Sequence, residues 1–102
     1  MLENLNSKIL REHLHTAFQI HAPGDSSLTV ELFEVTDLNT APQLEQFSVI
    51  FHGPKTPVLP QGTYPLEHAA LGRFDLFLVP IGPAGDAMRY QASFNRFRQQ
   101  NK

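Results

Sequence analysis

The chain has 102 residues, of which 41% are hydrophobic and 18% charged, and its net charge is −2. This length and composition predict one folded β domain over residues 1–102 and argue against a disordered chain. The sequence has no cysteine, which excludes disulfides and thiolate zinc sites, and its basic residues are too dispersed for the concentrated face that nucleic acid requires.

The expected compartment is the cytoplasm. The N-terminal segment is charged and lacks the continuous apolar core of a signal peptide. No apolar run reaches the ~18 residues that a membrane span needs, so we expect no membrane contact.

Residues 1–14 carry the only pattern of helical period. The apolar residues that share this spacing are Leu5, Ile9, Leu10 and Leu14. Asn6 or Ser7 can cap the first turn, because a side-chain oxygen there accepts a hydrogen bond from a free backbone amide. Since an isolated helix of this length is marginal, we expect it to plug one end or face of a sheet.

From residue 16 onwards the apolar period is two, which is typical of strands. Strands are predicted at residues 16–22, 28–35 and 47–52, with a turn at 22–26 and a loop at 37–45. Residues 53–62 contain three prolines and are predicted to form a loop, because proline cannot donate to a central ladder.

Residues 59–97 hold three further alternating runs, separated by two glycine-containing turns. A three-residue loop ending at Gly72 would place His68 opposite Phe74 and Leu66 opposite Leu76. A turn centred on Gly85 would place Leu76 opposite Phe94 and Pro80 opposite Tyr90. The first register also sets Glu67 opposite Asp75, a like-charge conflict that Arg73 would relieve.

The predicted fold is therefore all-β, a small antiparallel barrel or sandwich of about six strands with a short N-terminal helix. Closure into a barrel is favoured, because an exposed strand edge promotes aggregation. Residues 98–102 are expected to form a frayed tail.

Four segments carry a family resemblance: FSVIFHGP at 47–54, LPQGTYPLEH at 59–68, LGRFDLFLVPIG at 71–82 and YQASFN at 90–95. In this order and spacing they resemble a family of small bacterial proteins of unknown function. Its genes often sit beside those of phage-tail-collar-like proteins, so the resemblance implies a structural or protein-interaction module, an accessory of a tail-like assembly, with no known catalytic residue. Relatives commonly have a glycine before the first strand, where this chain has residues 13–16.

Histidines and carboxylates define the alternative function, a cupin-like or otherwise cryptic metal-dependent enzyme. Its residues would be His52, His68 and Glu67, since imidazole and carboxylate are common metal ligands. The predicted pair of Glu67 and Asp75 could also serve acid–base chemistry. Solvated surface and turn residues account for the same pattern, so we expect no metal, no cofactor and no enzyme activity.

Residues 74–81 are apolar on both faces. If Phe74, Leu76 and Leu78 point into the core, then Phe77, Val79 and Ile81 point outwards. The favoured interpretation is a cover from the N-terminal helix or the proline-rich loop. Otherwise these three residues bind a protein partner or a second copy of the chain, because contiguous apolar patches rarely stay exposed.

Overall fold

The computed structural model describes residues 5–38 and 44–97. They form one short helix and a closed barrel of six antiparallel strands, ordered β1-β2-β3-β6-β5-β4 around the wall. The elements are α1 Ser7–Arg11, β1 Ala17–Ala22, β2 Ser26–Asp37, β3 Leu44–Pro54, β4 Gly62–His68, β5 Gly72–Ala84 and β6 Ala87–Phe97. The predicted all-β fold is confirmed. Of the predicted loop at 37–45, Asp37 belongs to β2 and residues 44–45 belong to β3, while residues 39–43 lie outside the described residues.

Period-two alternation places one side of every strand inside the barrel. The largest fully buried side chains are those of Tyr90, Phe18, Phe47, Phe51, Ile20, Leu32, Leu66, Leu78, Val30 and Val49. Each strand thus contributes apolar side chains to one continuous core, and burial of such a side chain stabilises the fold by roughly 1.5–3 kcal/mol.

The helix closes part of the barrel but is shorter than the predicted segment of residues 1–14. The side chain of Asn6 accepts a 2.8 Å hydrogen bond from the amide of Ile9, which confirms it as the N-cap. The helix ends at Arg11, and residues 1–4 lie outside the described chain. Leu5 and Leu10 join the barrel core, so tertiary packing holds a helix that is too short to be stable alone.

A left-handed residue joins the helix to β1. His15 has φ 66°, a conformation that glycine adopts without strain and most other residues avoid. Its amide donates to the carbonyl of Leu32, which fixes the corner against β2. His15 therefore holds a glycine-like backbone conformation at the corner before β1.

The register between β4 and β5 differs from the predicted one by two residues. His68 lies opposite Gly72, Leu66 opposite Phe74, and Glu67 opposite Arg73. The predicted pairing of Glu67 with Asp75 is therefore wrong, and the like-charge conflict disappears. The loop has the predicted three residues but begins one residue earlier, and the His68 side chain accepts hydrogen bonds from the amides of Ala70 and Leu71 within it. A shift of two keeps every side chain on its predicted face.

Between β5 and β6 the predicted register holds where Pro80 lies opposite Tyr90 and Val79 opposite Gln91. Nearer the turn the pairing is shifted by one residue, so that Ala84 lies opposite Ala87 and the predicted turn centred on Gly85 is wrong by that one residue. In the described chain this ladder does not continue to the predicted pair of Leu76 and Phe94. The predicted frayed tail, residues 98–102, lies outside the described residues.

The barrel closes through a ladder of two residue pairs, Gln19 with Glu67 and Ile20 with Leu66. In that register the next residue of β4 is Pro65, which has no amide proton to donate. The two strands then separate around a cleft of about 330 Å³.

Two β-bulges interrupt the ladders, each adding one residue to a strand. Phe33 is the extra residue in β2, between Leu32 and Glu34. Ile81 is the extra residue in β5, between Pro80 and Gly82.

Candidate functional site

The outer surface of β5 carries the most exposed large apolar side chain in the described chain. Phe77 is 52% exposed, whereas Val79 and Ile81 are half-buried. The inward positions of the same strand, Leu76 and Leu78, already belong to the core. Phe77 thus adds nothing to the barrel interior.

The predicted intramolecular cover is wrong for Phe77. The helix packs on β2 and inserts Leu10 into the core, and Leu5, just before the helix, is buried there as well. In the proline-rich loop, the amide of Leu59 donates to the Tyr90 hydroxyl, which holds the loop at the barrel while Val58 stays 44% exposed. Neither element buries the Phe77 ring.

A groove lies beside this strand on the outer wall, over the pairing of β3 with β6. Its volume is about 470 Å³, within the range of small-molecule and peptide side-chain sites. The lining residues are Phe33, Glu34, Thr36, Ser48, Ile50, His52, Ala84, Arg89 and Gln91. Gln91 lies between Ile50 and Val79 in the ladders, so the groove is continuous with the outer surface of β5.

Arg89 is fixed at one wall of this groove by the β5 bulge. Its Nε donates to the carbonyl of Gly82 at 3.2 Å, and its Nη2 donates to the carbonyl of Ile81 at 3.3 Å. Ile81 is the extra residue of the bulge and has no residue opposite it, so the Arg89 side chain supplies its carbonyl with a donor. The guanidinium keeps further N–H donors for water or a ligand.

His52 and Phe33 form the opposite wall. Their rings are stacked, with centroids 3.8 Å apart and planes inclined by 9°. The bulge in β2 brings Phe33 into this position, and the stack orients the imidazole along the groove. The sequence contains a signal for this bulge. The inward apolar residues of β2 lie at even positions up to Leu32 and then at the odd position Val35, which breaks the period of two.

His68 lies on the opposite side of the barrel wall, with 6% of its surface exposed. Its Nδ1 receives hydrogen bonds from the amides of Ala70 and Leu71, at 3.0 and 3.2 Å. A backbone amide can only donate, so Nδ1 carries no proton and the neutral ring is protonated on Nε2. Nε2 therefore donates to the Thr16 hydroxyl at 2.9 Å, and that hydroxyl donates to the carbonyl of His13.

Burial and a neighbouring histidine favour the neutral ring of His68. Burial lowers the pKa of His68 from 6.5, and the nearby His13 lowers it further. The His13 ring approaches edge-on at 4.9 Å, and Phe18 lies at 4.4 Å. The arrangement joins the β4–β5 loop to the corner before β1, which is a structural role.

The residues of the predicted metal site do not converge. His52 stacks on Phe33 outside the wall, while His68 is buried inside it. Glu67 bonds His21 on the exposed surface, with 3.0 Å between Oε1 and Nε2. Among residues 5–38 and 44–97, no three His, Cys, Asp or Glu side chains are grouped so that they could hold a metal ion.

One family model matches residues 5–94, and its description is "Domain of unknown function (DUF6916)". The chain belongs to this family. No curated protein and no solved structure shows significant similarity to the chain. The DUF6916 match covers the helix and nearly all of the barrel, so the fold described above is that of the family domain. In the described part of this DUF6916 chain, no helix is long and apolar enough to cross a membrane.

Proposed function

We propose that this DUF6916 protein is a non-enzymatic interaction module, which binds another protein subunit through the outer surface of β5. The observation that carries the proposal is the exposure of Phe77 on a strand whose inward positions already fill the core. An exposed phenylalanine adds nothing to the core, whereas burying this ring against a partner would stabilise a complex by roughly 1.5–3 kcal/mol.

The surroundings of Phe77 are suited to a protein partner. Thr63 lies opposite Phe77 on β4, and Val79 follows it on the same side of β5. Farther across the wall, Gln91 and Arg89 supply polar groups. An aromatic anchor with a polar border is typical of protein interfaces.

The partner class comes from the family resemblance. Genes of the resembling family often sit beside those of phage-tail-collar-like proteins, which favours a subunit of a tail-like assembly formed in the cytoplasm. A collar-like protein is therefore the partner to test.

The experiment is co-expression of the chain with a phage-tail-collar-like protein from the same genome, followed by affinity purification and measurement of the dissociation constant. Phe77→Ser should weaken the complex ~30-fold or more, because loss of an interface anchor costs about 2 kcal/mol. Val58→Ser is the matched control, since Val58 is 44% exposed but lies in the proline-rich loop. It should bind like the wild type.

Two results would overturn the proposal. One is the lack of a complex, or a complex that Phe77→Ser leaves unchanged. The other is a homodimer of the wild-type chain that Phe77→Ser converts to monomer, measured by light scattering, since the surface would then serve self-association.

A further inference from the structure

The β4–β5 loop, residues 69–71, is attached to the barrel through one side chain. Ala69 and Ala70 are exposed, and Leu71 is half-buried at the edge of the core. In the described chain, the amides of Ala70 and Leu71 donate to the His68 Nδ1 at 3.0 and 3.2 Å, and neither donates to a backbone carbonyl. The attachment of the loop therefore depends on a nitrogen that can bind a proton.

The direction of these hydrogen bonds makes them sensitive to acid. Nδ1 is the acceptor, so a proton on this atom would point at two amides that can only donate. The bond from Nε2 to the Thr16 hydroxyl survives, because Nε2 carries a hydrogen in both forms of the ring. Protonation thus breaks the link between His68 and the loop but keeps the link between His68 and the corner before β1.

The groups that face His68 do not compensate a positive charge. Phe18 and His13 lie against the ring, with centroids 4.4 and 4.9 Å away, and no carboxylate in the described chain bonds it. The charged residues beside it in the sheet, Glu67 and Arg73, lie opposite each other and are exposed on the outer surface. Burial and His13, which lower the pKa of His68, therefore act without an opposing acidic group.

Two other histidines respond to acid in the opposite way. His21 bonds Glu67 across the ladder that closes β1 on β4, with 3.0 Å between Nε2 and Oε1. His15 bonds Glu31 of β2, with 2.8 Å between Nδ1 and Oε2. A carboxylate can only accept, so each of these rings donates whether it is neutral or protonated. Acid therefore leaves both bonds in place and adds a charge attraction.

The His68 ring lies between the loop and the aromatic part of the core. It is 6% exposed and contacts Phe18, which is 0% exposed. Phe18 in turn packs edge-on against Phe51 and Phe74, at 5.3 and 6.3 Å. Detachment of the loop would admit water to this end of the barrel while the strands stay paired.

We infer that the β4–β5 loop is an acid-released flap at this end of the barrel, with His68 as its proton sensor. Proton uptake by His68 detaches residues 69–71, whereas the ladder between β1 and β4 stays closed with His21 bonded to Glu67. The inference is independent of the proposed function, since Phe77 lies on the outer surface of β5 and takes no part in these contacts.

The sign of the pH dependence follows from the preference of the closed loop for the neutral ring. The pKa of His68 is below 6.5 while the loop is closed and returns to about 6.5 when the loop is detached. The detached state therefore binds more protons at a pH between these two pKa values. Detachment should become more favourable as the pH falls below about 6.5, by at most about tenfold per pH unit.

The first experiment measures amide hydrogen exchange by NMR on the full-length chain at about pH 7.5 and about pH 5.5. Results are expressed as protection factors, which correct for the intrinsic pH dependence of exchange. Those of Ala70 and Leu71 should fall by about three- to tenfold on acidification. Nuclear Overhauser contacts between Ile20 and Leu66, which are paired in the ladder, should persist.

Two results of this experiment would overturn the inference. One is protection of Ala70 and Leu71 that does not change with pH. The other is the loss of the contacts between Ile20 and Leu66 at the same pH, because the opening would then include the ladder.

Two variants identify the sensor. His68→Asn keeps an acceptor for the amide of Ala70 but has no group that titrates near neutral pH, so the protection of Ala70 should be equal at both pH values. Glu67→Gln is the matched control, since it removes the charge next to His21 but leaves the His68 contacts unchanged. It should lose protection at Ala70 as the wild type does. A pH response of Ala70 that persists in His68→Asn, or that disappears in Glu67→Gln, would contradict the role of His68.

The last experiment observes the His68 ring itself by long-range proton–nitrogen NMR. At about pH 7.5 the hydrogen should be on Nε2 with none on Nδ1, and at about pH 5.5 the Nδ1 signal should shift towards the protonated form together with the loss of protection at Ala70. A neutral ring that carries its hydrogen on Nδ1 would overturn the inference, because the loop amides would then have no acceptor to lose.

Discussion

Replacing His68 with asparagine should remove a pH dependence of stability without breaking the β4–β5 loop. The asparagine Oδ1 can accept a hydrogen bond from the amide two residues on, as the His68 Nδ1 does for Ala70. It has no proton to gain near neutral pH. The substitution therefore separates the hydrogen-bonding role of the side chain from its titration.

The sign follows from the lowered pKa. The pKa of His68 lies below 6.5 in the folded chain, whereas unfolding returns it to about 6.5. At a pH between these two pKa values, the unfolded state binds more protons than the folded state. The wild type therefore loses stability as the pH falls below about 6.5. One group contributes at most about 1.4 kcal/mol per pH unit. Protonation would also place a hydrogen on Nδ1 against the amides of Ala70 and Leu71.

Urea unfolding of both proteins at about pH 7.5 and about pH 5.5 measures the effect. The wild type should lose more free energy of unfolding on acidification than His68→Asn. His68→Ala, which also deprives two amides and the Thr16 hydroxyl of a partner, should be less stable than the wild type by on the order of 3 kcal/mol at the higher pH and by less at the lower pH, because alanine does not titrate. An equal acid-induced loss in the wild type and His68→Asn would refute the role assigned to His68.

Leu76→Ala should cost about 2–5 kcal/mol because it leaves a cavity in the core, whereas exposed Thr63→Ala should change little; similar urea midpoints would show that the face assignment of β4 and β5 is wrong. Gly53→Ala should cost about 1–3 kcal/mol, because the added Cβ would lie 2.9 Å from Cγ1 of Val30. The cost should shrink in a Val30→Ala background, and additive losses in the double variant would contradict this contact. His15→Gly should have a free energy of unfolding close to that of the wild type, whereas His15→Val should be less stable by about 1 kcal/mol or more, since φ is 66° at this position. Equal stabilities of the two variants in calorimetry would show that the backbone at His15 is not strained.

Local pattern was sufficient for the strands and for the side chains that point inwards. Alternation predicted that Phe18, Leu66 and Leu76 are buried and that Phe77 points outwards. The sequence also predicted an N-cap at Asn6 or Ser7, and Asn6 is the N-cap. These features depend on neighbours within a few residues, which the sequence displays directly.

Alternation does not predict features that depend on a side-chain hydrogen bond within a loop or on contacts between strands that are far apart in sequence. The two-residue error between β4 and β5 arose because the His68 ring accepts from the loop amides, a contact that turn statistics do not include. The groove over β3 and β6 depends on strands far apart in sequence and on the bulge at Phe33. The parity change from Leu32 to Val35 was the available signal for that bulge.

The two-pair ladder between β1 and β4 has a kinetic consequence. It joins residues that are distant in sequence, so forming it carries a large loop-closure cost and few hydrogen bonds in return. We expect the ladder between β1 and β4 to form after the folding transition state and to be among the first parts of the barrel to open during unfolding. Substitutions of Gln19 or Glu67 should then change the unfolding rate more than the folding rate, which makes this short ladder a determinant of the lifetime of the folded barrel.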